Sequence, residues 1–143
     1  MPQTASIEVY IDGACLGNPG PAGIGVVFLN GGDGPVREFS KHVGHTTNNV
    51  AEYLALVYAL QEALQRHLTR VTVKTDSELL ARQMAGVYKV RDATLRLFHD
   101  LAKLLVGRFE ACTIEHIPRE QNTQADRLAA KAVDGRLAAA AKS

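Results

Sequence analysis

The sequence predicts an α/β domain in which a three-stranded antiparallel meander is followed by strands that alternate with helices. Two observations carry that prediction. Three β-rich apolar runs between residues 6 and 43 are joined by dense Gly, Pro and Asn turn signals, the pattern of hairpin-connected strands. A long helical period over 50–67 then leads directly into Val71–Asp76, and helix followed by strand implies a parallel crossover. A third observation concerns position. The first and fourth strands both end on an acid, Asp12 and Asp76. If those strands are neighbours, both acids lie at the carboxyl edge of the sheet, where open α/β sheets bind ligands.

The elements follow in order. Residues 1–5 read as a short flexible start without the basic and apolar regions of a signal peptide. Ser6–Gly13 is the first strand: Ile7, Val9 and Ile11 alternate with Glu8, Tyr10 and Asp12, and the run breaks at Gly13. Ala14–Pro21 is a turn, Ile24–Leu29 a second strand, Asn30–Pro35 another turn, and Val36–Val43 a third strand. The first long helix is expected over Val50–His67, with Leu56, Val57, Ala59, Leu60, Ala63 and Leu64 on one apolar arc. Val71–Asp76 is the fourth strand, and a short helix starts at Ser77. Ala85–Asp92 is a connector carrying Tyr88, Lys89 and Arg91. Ala93–Val106 is a helix with Leu97, Leu101, Leu104 and Leu105 expected inward. Cys112–Ile117 is the fifth strand, Pro118–Asn122 a loop, and Thr123–Ala141 the last, alanine-rich helix.

The 143 residues fit one domain, 1–143, with no repeat, linker or compositional break. No apolar run approaches the ~20 residues of a membrane span. Cys15 and Cys112 lack metal-type spacing, so free thiols in a cytoplasmic monomer are the expectation. A net charge of +1 means that a nucleic-acid partner would need a local basic patch. The Gly-rich turn after the first strand has no Gly-Lys-Ser/Thr and no following helical period, which argues against nucleotide phosphate binding. There is no Cys/His set for zinc, and Ser77 lacks His and Asp partners for a triad.

Four acids sit at element ends: Asp12, Glu52, Asp76 and Asp126. Each has a local explanation. Asp12 can start a turn, and Asp76 can cap the helix after it. Glu52 and Asp126 can each close a capping box, with Asn49 and Thr123 as the caps. Yet Glu52 falls on the apolar arc of its helix, and Asp126 lies above Ala129, Ala130 and Val133, a small-residue face. Clustered inward carboxylates need cations. Oxygen-only ligation suits Mg²⁺ or Mn²⁺, and two such ions can hold the attacking and leaving oxygens of a phosphoryl displacement.

Four motifs carry a resemblance. Ile11–Pro21 with Gly23-Ile24-Gly25, Thr46–Glu52, Thr75-Asp76-Ser77 and Asn122–Ala129 resemble, in order, the four motifs of type 1 ribonuclease H. They span nearly the whole chain. The resemblance implies an α/β, ribonuclease H-like fold: a mixed five-stranded sheet of order 3-2-1-4-5, strand 2 antiparallel, with helices on both faces. It implies metal-dependent hydrolysis of the RNA strand of RNA/DNA hybrids, leaving 5′-phosphate and 3′-hydroxyl ends. By matching positions, Asp12 would bridge two Mg²⁺ ions, with Mn²⁺ as a substitute. Glu52 and Asp76 would hold the ion near the leaving oxygen, and Asp126 the ion that activates water. Asn18, Asn48 and Asn49 match positions that read the hybrid minor groove, and Thr47 matches a phosphate contact. Amide side chains both donate and accept, which suits 2′-hydroxyls and base edges.

Two departures from the long forms of the family stand out. Their basic helix and loop shrink here to Gly86–Arg91, so the chain resembles the short bacterial and archaeal form, with Lys89 and Arg91 left as candidate phosphate contacts. The mobile histidine of the long forms has no clear counterpart. His116 alternates with Cys112 and Ile114 and reads as a strand residue, whereas Arg119 lies in the loop and can approach the scissile phosphate. A nuclease of the same fold acting on another duplex, and a non-catalytic binding module, are the competing readings.

Overall fold

The computed structural model describes residues 6–30 and 35–142, with side chains described through Val133. The expected flexible start, 1–5, and positions 31–34 of the second turn lie outside the described residues. The chain runs β1 (Ile7–Cys15), β2 (Gly20–Leu29), β3 (Pro35–Thr46), α1 (Asn48–Gln65), β4 (Arg70–Thr75), α2 (Glu78–Met84), α3 (Ala93–Val106), β5 (Ala111–His116), a 3₁₀ turn (Arg119–Gln121) and α4 (Thr123–Lys142). The sheet order is β3-β2-β1-β4-β5. β2 is antiparallel to both β1 and β3, while β1, β4 and β5 are mutually parallel. This is the order that the resemblance implies.

β1 outlasts its expected end. Gly13, Ala14 and Cys15 stay paired with Ile24, Gly23 and Ala22, so the hairpin continues beyond the acid. What stops at Asp12 is the pairing with β4, whose last partners are Ile11 and Thr75. Asp12 and Asp76 are therefore the first residues past a shared parallel register.

Helices cover both faces. Gly13 and Gly25 occupy adjacent register positions on paired strands and so face opposite sides of the sheet. A Cβ on Gly13 would lie 2.6 Å from the Ala51 carbonyl carbon in α1, and one on Gly25 would lie 2.2 Å from the Ala125 oxygen in α4. Only glycine allows either helix so close. On the α1 side the core joins Val9, Ile11, Ile24, Val26, Val71 and Val73 of the sheet to Tyr53, Leu56 and Leu60, all fully buried. Inside that core the Tyr53 hydroxyl donates to Gln83 Oε1 at 2.7 Å.

Two packing expectations are corrected. Leu97, Leu101 and Leu104 do not point inward; they are 72%, 41% and 70% exposed. α3 packs on α1, and the stripe that meets the core is Leu95, Phe98, Ala102 and Leu105. A helix packed mainly against one neighbour buries only a narrow stripe, and its second leucine row stays outside. In α4, Ala125, Ala129, Ala132 and Val133 are buried, but Ala130 is exposed.

Candidate active site

The β1–β4 register sets Asp12 and Asp76 side by side at the carboxyl edge. Glu52 joins them from the start of α1. The bare Gly13 lets the α1 backbone close over the strand, and Gly13 N–H donates to Glu52 Oε1 at 3.1 Å. One carboxylate oxygen from each of Asp12, Glu52 and Asp76 lies within 4.8 Å of the other two. Asp12 is buried, and the other two are half-buried.

None of these acids is needed as a cap. Thr47, not Asn49, caps α1 by accepting from Val50 N–H at 3.3 Å. Ser77, not Asp76, caps α2 by accepting from Leu80 N–H at 3.1 Å. The capping-box account of Glu52 and the cap account of Asp76 therefore fail, because neighbouring hydroxyls meet those helix-end donors.

The electrostatics are adverse without a cation. Burial, followed by the charges of Glu52 and Asp76, raises Asp12 to about 9. Burial and the Asp76 charge raise Glu52 to about 8, against the lowering pull of the Gly13 N–H and of Arg119. Positive charge entering the site would favour the ionised forms of Asp12 and Glu52. An all-oxygen donor set with this appetite for charge fits a hard divalent cation such as Mg²⁺ or Mn²⁺.

Asp126, in the first turn of α4, stands next to this trio and outside it. It adds to the upward push on Asp12, its side chain is 46% exposed, and Arg119 Nη2 lies 3.9 Å from its Oδ1. Arg119 itself is exposed in the 3₁₀ turn. His116 is the last residue of β5, register partner of Thr75 and exposed; the strand assignment holds.

The expected substrate-binding residues gather at two neighbouring clefts. Asn18, Thr47 and Asn49 line one of about 510 Å³, together with Asp92, Thr94 and Leu95. Asn18 Oδ1 accepts from Asn48 N–H at 2.9 Å, which ties the β1–β2 turn to the start of α1. Asn48 and Asn49 are exposed. Lys89 and Arg91 line the second cleft, of about 640 Å³, with Tyr88, Arg96 and His99. The clefts adjoin at the consecutive residues Arg91 and Asp92, and neither is lined by the four acids. Sequence reasoning assigned no role to Asn122. It is 1% exposed, and its Nδ2 donates to Ile11 O at 2.8 Å and to Asp76 Oδ2 at 3.0 Å. The available signal was a polar residue opening the fourth motif, four before Asp126.

Comparison with known proteins bears on this arrangement. Residues 10–132 match the family described as reverse transcriptase-like. The chain is 39% identical to ribonuclease HI of Halobacterium salinarum over 128 residues, 90% of this chain and 64% of that one. It is 39% identical over 136 residues to a bifunctional protein of Mycobacterium tuberculosis, covering 94% of this chain and 37% of that one. The chain thus spans roughly two-thirds or less of these relatives' lengths. Among solved structures, RNase H1 of Halobacterium salinarum superposes with a TM-score of 0.88 at 38% identity, covering 92% of this chain and 99% of that one. LC11-RNase H1 in complex with an RNA/DNA hybrid gives 0.86 at 43% identity, with the same coverage.

Proposed function

The chain belongs to the ribonuclease H family, and from that premise we propose that it is a metal-dependent endonuclease that hydrolyses the RNA strand of RNA/DNA hybrids. The observation that carries this reading is the trio Asp12, Glu52 and Asp76 held within 4.8 Å at the sheet edge. The hybrid complex of LC11-RNase H1 supports the substrate class. Asp12, Glu52 and Asp76 would hold the metal, with Asp126 completing the set from α4. When bound, a pair of Mg²⁺ ions, with Mn²⁺ as a substitute, supplies the positive charge that activates water and steadies the leaving oxygen. Water oxygen bonds to phosphorus, the bond to the 3′-oxygen breaks, and that oxygen takes up a proton. The products carry 5′-phosphate and 3′-hydroxyl ends.

The chain's own residues bind and orient the duplex. Asn18, Asn48 and Asn49 present amides to 2′-hydroxyls and base edges. Thr47, Lys89 and Arg91 take phosphates, which position the duplex without reading its sequence. Arg119, beside Asp126, stabilises charge or guides product away; as a guanidinium it stays protonated and is no base. Among the described residues no helix is long and apolar enough to cross a membrane.

Digestion of labelled RNA/DNA, RNA/RNA and DNA/DNA duplexes with Mg²⁺, Mn²⁺ or chelator tests the proposal. Cleavage confined to the RNA of the hybrid and abolished by chelator is expected. Cleavage of another duplex in preference, or of none, overturns it.

A further inference from the structure

We propose that Asn122 is the positioning residue of this site, setting the placement of Asp76 directly and of Asp12 and Asp126 through the backbone. The inference rests on reading the carboxylate trio as a metal site. Both groups that face the Asn122 amide, the Ile11 carbonyl and the Asp76 carboxylate, only accept. The nitrogen must therefore point at them, and its two hydrogens are both spent there. One bond reaches the residue before Asp12 in β1, at the point where pairing with β4 ends. The other fixes Asp76 Oδ2 and leaves Oδ1 free to ligate. The Asn122 main-chain carbonyl accepts from Asp126 N–H at 3.1 Å, so the same residue sets the first turn of α4. One buried residue thus joins β1 to the end of β4 through its side chain and reaches α4 through its main-chain carbonyl, where three of the acids converge.

The cost of the arrangement shows in the other amide atom. Asn122 Oδ1 is buried and has no hydrogen-bond partner among the described residues. Leaving an acceptor unmatched lowers stability, so what Asn122 supplies is the geometry its nitrogen imposes. Partners of metal ligands work in this way, orienting the ligand and tuning its basicity.

Asn122→Ala tests the role by Mn²⁺ titration calorimetry together with kcat and KM on hybrid. Mn²⁺ affinity and kcat should each fall by about 10- to 100-fold, with KM for the hybrid unchanged. In an Asp76→Ala background the same substitution should shift Mn²⁺ affinity by less than about twofold, because the carboxylate it fixes is gone. A merely structural role would lower Tm and leave the Mn²⁺ affinity of the folded protein intact. Wild-type Mn²⁺ affinity in folded Asn122→Ala, or losses that add in the double variant, overturns the proposal. Should Asn122→Ala fail to fold, the wild-type protein decides by NMR. The Asn122 side-chain amide protons should exchange slowly and shift on Mg²⁺ addition, and unmoved signals overturn the role. Failure to cleave hybrid would sink the proposed activity while the Mn²⁺ comparison still judges Asn122.

Discussion

Replacing Asp12 by Asn should stabilise the metal-free protein while abolishing turnover. In the folded state burial and the neighbouring acids raise Asp12 from 3.8 to about 9. At pH 7 the folded protein therefore keeps a proton that the unfolded chain releases. Stability is fullest below the unfolded value, falls as pH rises from about 4, and levels off above about 9. Neutral pH lies about three units above the unfolded value, and each unit is worth about 1.4 kcal/mol, so the penalty is bounded by about 4 kcal/mol. Asn carries no titrating group and escapes that penalty. A gain of about 2 kcal/mol would raise Tm by roughly 4–8 °C for a chain of this size. Thermal and urea unfolding in chelator at pH 5.5, 7 and 8.5 would measure it. The wild type should lose stability across the series, and Asp12→Asn should lose less. A wild type whose metal-free stability is flat or rises with pH, or an Asp12→Asn protein less stable than wild type at pH 7, refutes the reasoning. So does hybrid cleavage by Asp12→Asn at the wild-type rate.

Other substitutions separate the remaining roles. Arg119→Ala should lower kcat by roughly ten- to a thousand-fold, whereas exposed His116→Ala should leave single-turnover cleavage near wild type; the opposite pattern would reverse their assignment. Lys89→Ala with Arg91→Ala should weaken hybrid binding equally for all sequences and flatten the salt dependence by about 0.9 for each phosphate left without its cation, measured in Ca²⁺ across a salt series. Unchanged affinity and slope would remove that cleft from the binding surface. Gly25→Ala should destabilise by about 1–3 kcal/mol in urea unfolding, because its Cβ would meet the Ala125 oxygen at 2.2 Å and lever α4 from the sheet; an unshifted midpoint would refute the close approach.

Much of the fold was legible because two periods differ so clearly. Strands alternate by two and helices by 3.6, and the turn residues between them are dense. What stayed hidden depends on neighbours distant in sequence. The end of β1 could not be placed because residues 13–15 take their hydrogen bonds from the hairpin partner, not from β4. The leucines of α3 could not be phased because two apolar rows, 95/98/102/105 and 97/101/104, each make a plausible inner face; only the arrival of α1 chooses between them. Asn122 was invisible as an organiser since its partners, Ile11 and Asp76, lie 111 and 46 residues away.

The four acids show why motif and local pattern had to be weighed together. Each stands where an acid serves a turn or helix end, and at such places a carboxylate usually needs no further account. The structure removes those local duties in two cases by giving them to the adjoining hydroxyls, Thr47 for α1 and Ser77 for α2. It leaves Glu52 with a backbone N–H across the strand end and Asp76 with an amide from the residue just before α4, both contacts that orient a carboxylate without neutralising it. A carboxylate released from capping, half withdrawn from water and aimed at two others is unstable by itself. Nothing in folding requires that arrangement, and a cation resolves it. The crowding of carboxyl groups at one sheet edge is thus the feature that local structure cannot explain and that phosphodiester chemistry can use.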